Sequence, residues 1–260
     1  MFTKNDIIND LKTIGIKPSD TLMVHSSMKA IGEVEGGADT VLDALIEYMK
    51  EGLLILPTHT WKQTNETYNV YNPKTEPSCV GILTNLFLKR PGVIRSLHPT
   101  HSVAAIGKDA IEYTTGEEQW DTPCPRHGCW GKLYDRKAKI LLLGCDLRRN
   151  TFLHSVEEWS DIPLRLTEKC ENLKIINWND EVIDRPMYRH YNPIVRSISE
   201  NYDKMEEPFL HKGIVHKGKV GEANCILGDA VAMADLTSSF LQQNPDLFGN
   251  DMPVPTNWYM

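Results

Sequence analysis

The sequence predicts an α/β/α layered fold with a mixed sheet, in a single domain over residues 1–260. Three observations carry this expectation. Apolar runs of strand length alternate with amphipathic helical segments, the pattern of helices laid over a sheet. Two of those runs, "LLILPT" (53–58) and "KILLLG" (139–144), are continuously apolar, as strands covered on both faces are. A third stretch, "LKIINWNDEVIDR" (173–185), reads as two strands about a polar turn at Asn179–Asp180, so the sheet is not purely parallel.

The elements follow in order. Thr3 and Asp6 form a capping box ahead of Ile7, Ile8, Leu11 and Ile14, which share one face of a helix ending near Gly15. "TLMVHSS" (21–27) is a strand running into a polar turn, and "GGADTVLDALIEYMKEG" (36–52) is a helix between glycines. After "LLILPT", residues His59 to Val80 are polar and aperiodic, and a loop of that length in a compact domain is usually functional. "GILTNLFLKR" (81–90) is a helix with Ser78 or a neighbour as its cap, and "HSVAAIG" (101–107) is a strand. "CWGKLYDR" (129–136) is a short helix, "KAKILLLG" (137–144) the most buried strand, and "NTFLHSVEEWS" (150–160) the helix after it. Beyond the hairpin come a charged helix near Asp203–Lys212 and one strand-like piece, "GIVHKGKVGEA" (213–223). A last helix is expected to begin at Ile226.

Composition narrows the function. Hydrophobic content of 41% and charged content of 24% are those of a soluble globular protein. No apolar run reaches the length of about 18 residues that a membrane span needs, and the N-terminus lacks a signal-peptide core, so a cytoplasmic location is expected. The net charge of −7 disfavours nucleic-acid and anionic-membrane partners. The six cysteines are scattered and read as free thiols. In "CPRHGC", Cys124, His127 and Cys129 would need further ligands to hold zinc; none occurs at a matching spacing, so no metal is expected.

Four stretches could carry chemistry. In "VHSSM", Ser26, Ser27 and Met28 leave a strand in a turn whose N–H groups and hydroxyls suit a phosphate or a plain helix cap equally. Neither a Walker A nor a G-x-G-x-x-G pattern exists, which disfavours the corresponding ATP and dinucleotide folds. "LPTHTW" follows the second strand. In "HPTHS", Pro99 rules out a helix and is expected to keep His98 and His101 apart. In "GCDLRRNTFLHSVEEW", His154 falls in the first turns of a helix capped by Asn150 or Thr151, with Glu157 at i+3 and Glu158 at i+4. A carboxylate on one imidazole nitrogen makes the other a general base, yet a surface His/Glu pair fits the same pattern. Cys145 as a nucleophile is the rival chemistry, although no small-residue elbow follows it.

Taken together, "VHSSMKAIGEVEGGADTVLDAL", "LPTHTW", "RSLHPTHSVAAIG", "WGKLY", "KILLLG" and "NTFLHSVEE" resemble the aminoglycoside 3-N-acetyltransferase family, in the family's order, over about the first two thirds of the chain. The resemblance implies a non-GNAT fold and acetyl transfer from acetyl-CoA, as co-substrate, to the 3-amino group of an aminoglycoside. It implies His154 as catalytic base with Glu157 as its acidic partner. It also implies Ser26, Ser27 and Met28 at the CoA pyrophosphate, and His98 and Ser102 along the CoA channel. The implied partner is a small cationic amine, which acidic side chains such as Glu66 would attract; a homodimer is compatible with the reading. "CPRHGC" departs from the family's Gly/Pro/Ser-rich run at this point, which puts the accepted amine in question. The alternatives are a CoA-dependent N-acyltransferase for another amine and a CoA-binding protein without aminoglycoside activity.

Overall fold

The computed structural model describes residues 1–195 and 197–260. Three parallel strands form its centre: β1 (Thr21–Ser26) lies between β2 (Leu53–Pro57) and β6 (Lys139–Leu143). Antiparallel strands flank them. β5 (Val103–Gly107) pairs with β2 and β4 (Ile94–Arg95) with β5; on the other side β10 (Ala223–Asp229) pairs with β6 and β9 (Val215–Val220) with β10. The order is β4-β5-β2-β1-β6-β10-β9. A separate three-stranded sheet holds β3 (Val70–Tyr71), β7 (Glu171–Ile176) and β8 (Val182–Met187).

The apolar strands explain the layering. With side chains alternating between faces, Leu22, Val24, Leu54, Leu56, Leu141 and Leu143 all point one way. They bury α1 (Lys4–Thr13), α2 (Gly37–Tyr48) and α3 (Ile82–Phe87). Met23, Leu53, Ile55, Ile140 and Leu142 point the other way, against α4 (Ala110–Thr114), α5 (Cys129–Asp135), α6 (Thr151–Trp159), α7 (Glu206–His211) and α8 (Ala230–Gln243). Each fully buried side chain of this size stabilises the fold by about 1.5–3 kcal/mol, and truncating one, as in Leu141→Ala, costs about 2–5 kcal/mol. α1 starts where expected: the Thr3 hydroxyl accepts from the Asp6 N–H at 3.3 Å, and the Asp6 carboxylate accepts from the Thr3 N–H at 2.8 Å.

Three expectations change. The sheet is mixed, but its antiparallel pairs come from β5, β4, β10 and β9; the 173–185 hairpin belongs to the small sheet. The strand-like piece at 213–223 is β9, and the chain then turns into β10. Gly221 turns the chain at φ +58, where a Cβ would sit 2.5 Å from the Ile31 carbonyl, and Ile226 lies in β10. The last helix therefore begins at Ala230, capped by the Asp229 carboxylate, which accepts from the Ala232 N–H at 3.0 Å. Ser78 does not cap α3; its N–H donates to the Asn85 side chain at 2.8 Å.

Candidate active site

The C-terminal ends of β1, β2 and β6 open together onto a cleft of about 1020 Å³, the position at which open α/β sheets bind ligands. His25, Ser26 and Ser27 reach it from β1, His59 from the loop after β2, and Cys145 and His154 from the segment after β6. The small sheet and the loops beside it add Trp61, Lys62, Asn65, Glu171, Arg189 and His190 to the lining.

The chain can make these turns for local reasons. Gly144 leaves β6 at φ +70, where a Cβ would meet the Ala30 methyl at 2.4 Å, so the strand end packs against the serine turn. The Ser27 N–H completes that contact by donating to the Leu143 carbonyl at 2.8 Å. Asn150, fully buried, then caps α6 by accepting from the Phe152 N–H at 3.3 Å, which sets His154 in the second turn.

His154 is largely buried, with 16% of its side chain exposed at the cleft. Burial pushes its imidazole down to about 3, with His59 and Arg165 adding to the effect, so it is neutral near pH 7. Its Nδ1 lies 2.7 Å from the hydroxyl of Tyr202, and that hydroxyl donates to Glu157 Oε2 at 2.5 Å. Glu157 itself is 3.8 Å from Nδ1, so the expected direct contact is corrected: a tyrosine stands between them. Burial pushes the Glu157 carboxyl up, and the Arg165 guanidinium opposes this with Nε donating to Oε1 at 2.5 Å. Glu158 turns elsewhere. It accepts from the Cys124 N–H at 3.0 Å and from the Thr122 hydroxyl, and burial pushes it up to about 7. It thus anchors the start of the "CPRHGC" segment rather than His154.

Ser26 and Ser27 line the cleft, but Met28, His98 and Ser102 do not. Met28 packs against the core on the α1–α2 side of the sheet. His98 is fully buried: its Nδ1 accepts from the N–H groups of Thr100 and His101, and its Nε2 donates to the Thr122 carbonyl at 3.0 Å. Ser102, also fully buried, donates to the Thr58 carbonyl at 2.8 Å and accepts from Arg95 Nε at 3.2 Å. Backbone pairing of Thr58 with Ser102 and of Thr60 with Thr100 continues the β2–β5 ladder. These two residues thus stand behind the wall and hold the turns that carry His59 and His101. Pro99 does not keep His98 and His101 apart, since a tight turn brings their rings edge-on at 6.0 Å.

Cys145 lines the cleft, but burial pushes its thiol up to about 12, which leaves it protonated and a poor nucleophile. Among the described residues no group of three His, Cys, Asp or Glu side chains is placed to hold a metal ion. Among the described residues Glu171 is the one carboxylate that lines the cleft, and Arg189 engages it at 2.6 Å and 2.8 Å. Glu66 is not part of that wall, whereas Lys62, Arg148 and Arg149 are.

Sequence reasoning missed four neighbours of His154: Tyr202, Arg165, His190 and His59. His190 stacks on His154 with ring centroids 4.2 Å apart, and His101 meets His190 edge-on at 4.9 Å. His59 packs on His101 and Trp130 and shares a 3.1 Å hydrogen bond with Thr151. Only His59 had a local signal, its place in the loop after a buried strand.

Residues 23–242 match the family described as aminoglycoside 3-N-acetyltransferase, which spans most of the chain. The chain belongs to that family. An aminoglycoside 3-N-acetyltransferase family member is an acyltransferase, and this chain is one. It is 30% identical to the SPbeta prophage-derived aminoglycoside N(3')-acetyltransferase-like protein YokD of Bacillus subtilis, with 93% of each chain covered. The crystal structure of YokD superposes with a TM-score of 0.80, covering 94% of each chain at 28% identity. Aminoglycoside N(3)-acetyltransferase IX of Micromonospora chalcea is 28% identical, over 88% of this chain and 89% of its own. A solved structure described as AAC-IIIb binary with CoASH shares the fold, at TM-score 0.82 and 21% identity, covering 97% of this chain and 99% of that one. Among the described residues no helix is long and apolar enough to cross a membrane.

Proposed function

We propose that this family member transfers the acetyl group of acetyl-CoA to the 3-amino group of an aminoglycoside within a ternary complex, with His154 as general base. The observation that carries the reading is the state of His154: neutral, at the cleft, with Nδ1 engaged by Tyr202. Among the described residues Nε2 carries no hydrogen bond, which leaves its lone pair for a substrate proton. The amine nitrogen attacks the thioester carbonyl carbon, and as the N–C bond forms that nitrogen becomes acidic. Nε2 then takes the proton, so a base of low basicity suffices at this step. The tetrahedral intermediate collapses, the C–S bond breaks, and the CoA sulfur leaves with the proton returned by the imidazolium. General-base assistance of this kind is worth about 10²–10⁴ in rate. On this reading Ser26 and Ser27 meet the CoA pyrophosphate, and Arg149 lines the same cleft. AAC-IIIb, described with CoASH, supports acetyl-CoA as the donor, and the names of the relatives support an aminoglycoside acceptor.

One observation favours a second reading, a different amine as acceptor. Polycations seek carboxylates, and among the described residues one lines the cleft, Glu171, already paired with Arg189, while Lys62 and Arg149 line it as cations and Arg148 is held by Asp146 and Asp203. A thiol-release assay with acetyl-CoA over a panel of aminoglycosides and of neutral and anionic amines separates the two. His154→Ala should abolish turnover on whichever amine is accepted while acetyl-CoA binding stays near wild type. Unchanged turnover in that variant ends the base reading.

A further inference from the structure

We infer that Tyr202 is the positioning residue that makes His154 a base, acting as a neutral bridge between the imidazole and the buried Glu157–Arg165 ion pair. The inference rests on the proposed role of His154 and adds a residue that no local feature of the α6 sequence could supply, since Tyr202 lies 48 positions further on.

The chain of contacts has one direction. Arg165 is nearly buried, with 6% of its side chain exposed, and its Nε donates to Glu157 Oε1 at 2.5 Å. An arginine is always charged, so this contact holds Glu157 as a carboxylate despite its 1% exposure. A carboxylate only accepts, so the Tyr202 hydroxyl spends its one proton on Oε2. Burial and the neighbouring carboxylate push the Tyr202 phenol well above its ordinary value, so that proton stays on the oxygen. Towards His154 the hydroxyl therefore offers only a lone pair, and Nδ1 must be the protonated nitrogen. Nε2 is left unprotonated, the tautomer a base needs. The 3.8 Å gap between Glu157 and Nδ1 is too long for a hydrogen bond, so without the hydroxyl nothing selects that tautomer.

The position of Tyr202 is fixed independently of the bond. Its ring is fully buried, meets His154 edge-on at 4.9 Å and packs on Phe248 at 4.8 Å. Phenylalanine fills the same space, so Tyr202→Phe removes the oxygen and little else. The bridge also carries charge: when Nε2 takes a proton, the imidazolium faces a polarised hydroxyl backed by a carboxylate, which stabilises the charged form as it appears.

Two measurements on the full chain test this. In ¹⁵N-histidine spectra of the wild-type protein near pH 7, His154, assigned by its loss in His154→Ala, should show a protonated Nδ1 and a bare Nε2. The opposite tautomer overturns the proposal with no need of the variant. In Tyr202→Phe, kcat should fall about 100-fold, the scale for losing an outer partner of a working histidine. KM for acetyl-CoA should change less than about 3-fold, and the His154 resonances should move to a tautomer mixture. A Tyr202→Phe enzyme with wild-type kcat and spectrum, alongside an inactive His154→Ala, refutes the bridge and leaves the base reading standing. Activity in His154→Ala refutes the base reading itself.

Discussion

His190 lies flat against His154, with ring centroids 4.2 Å apart and planes 19° from parallel. His190 comes from the segment after β8. There the N–H of Tyr191 donates to the Arg165 carbonyl and the N–H of Thr167 to the Arg189 carbonyl. One short backbone pairing thus delivers both the ring that stacks on His154 and the guanidinium that pairs with Glu157.

His190→Ala is expected to lower kcat about 10-fold, because the base loses the ring that confines its χ angles and gains room to leave its productive rotamer. KM for acetyl-CoA should stay within about 3-fold. Steady-state kinetics check both values, and an unchanged kcat would show that the stacking does not position the base.

Acid should destabilise the protein steeply below pH 6.5. Burial pushes His25 and His154 down to about 3 and His98 to about 4, and lowers His59, His101 and His190 well below the ordinary range. Each binds a proton near pH 6.5 in the unfolded chain and only far below that when folded. Stability is therefore full above pH 6.5 and falls as pH drops through the window from 6.5 to about 3. Between pH 7 and 5.5 His25, His98 and His154 each remove about 1 kcal/mol, the other three act in the same direction, and Glu158, pushed up to about 7, offsets part of the loss by taking up its proton in the folded state. Urea midpoints across this range check the slope, and a flat profile from pH 7 to 5 contradicts it.

Cys145→Ser should retain most of the activity, since a thiol held protonated cannot act as the nucleophile. Intact-protein mass spectrometry after mixing with acetyl-CoA should show no acetyl adduct lost in the serine variant. Such an adduct, with ping-pong kinetics, would reverse the assignment.

Arg165→Met should cost about 3–5 kcal/mol, because it strands the Glu157 carboxylate in the interior. Thermal melts and urea unfolding measure the loss. A second substitution, Glu157→Gln, should recover part of that stability without recovering activity; recovery of full activity would show that Glu157 needs no charge.

How much of this was legible in the sequence depends on how local each signal is. The buried strands and their helices were readable because continuous apolar runs and 3.6-residue periodicity are local. His154 was readable because a capping asparagine after the most buried strand places it at a strand end. The i+3 spacing put Glu157 on the correct face of α6, but spacing cannot show that another side chain has entered the gap. Tyr202, Arg165 and His190 come from segments joined only by tertiary pairing, so no pattern within α6 announces them. For His98 and Ser102 the family resemblance implies a place along the CoA channel, whereas the fold buries both behind the cleft lining, a distinction between a wall and its support that no local pattern carries. The last helix was placed early because "ILG" at 226–228 is apolar enough for either element, while the Asp229 cap that decides the matter stood three residues further on.

The small sheet gives the cleft two owners. The wall bearing His154, Ser26 and Ser27 grows from the large sheet, whereas Glu171, Arg189 and His190 hang from a three-stranded unit with its own minor core of Tyr71, Leu97 and Ile175. The lining of the cleft is thereby tied to two cores at once. Because His190 stacks on His154 and Arg165 pairs with Glu157, a change that loosens the minor core carries through to the imidazole standing on the large sheet.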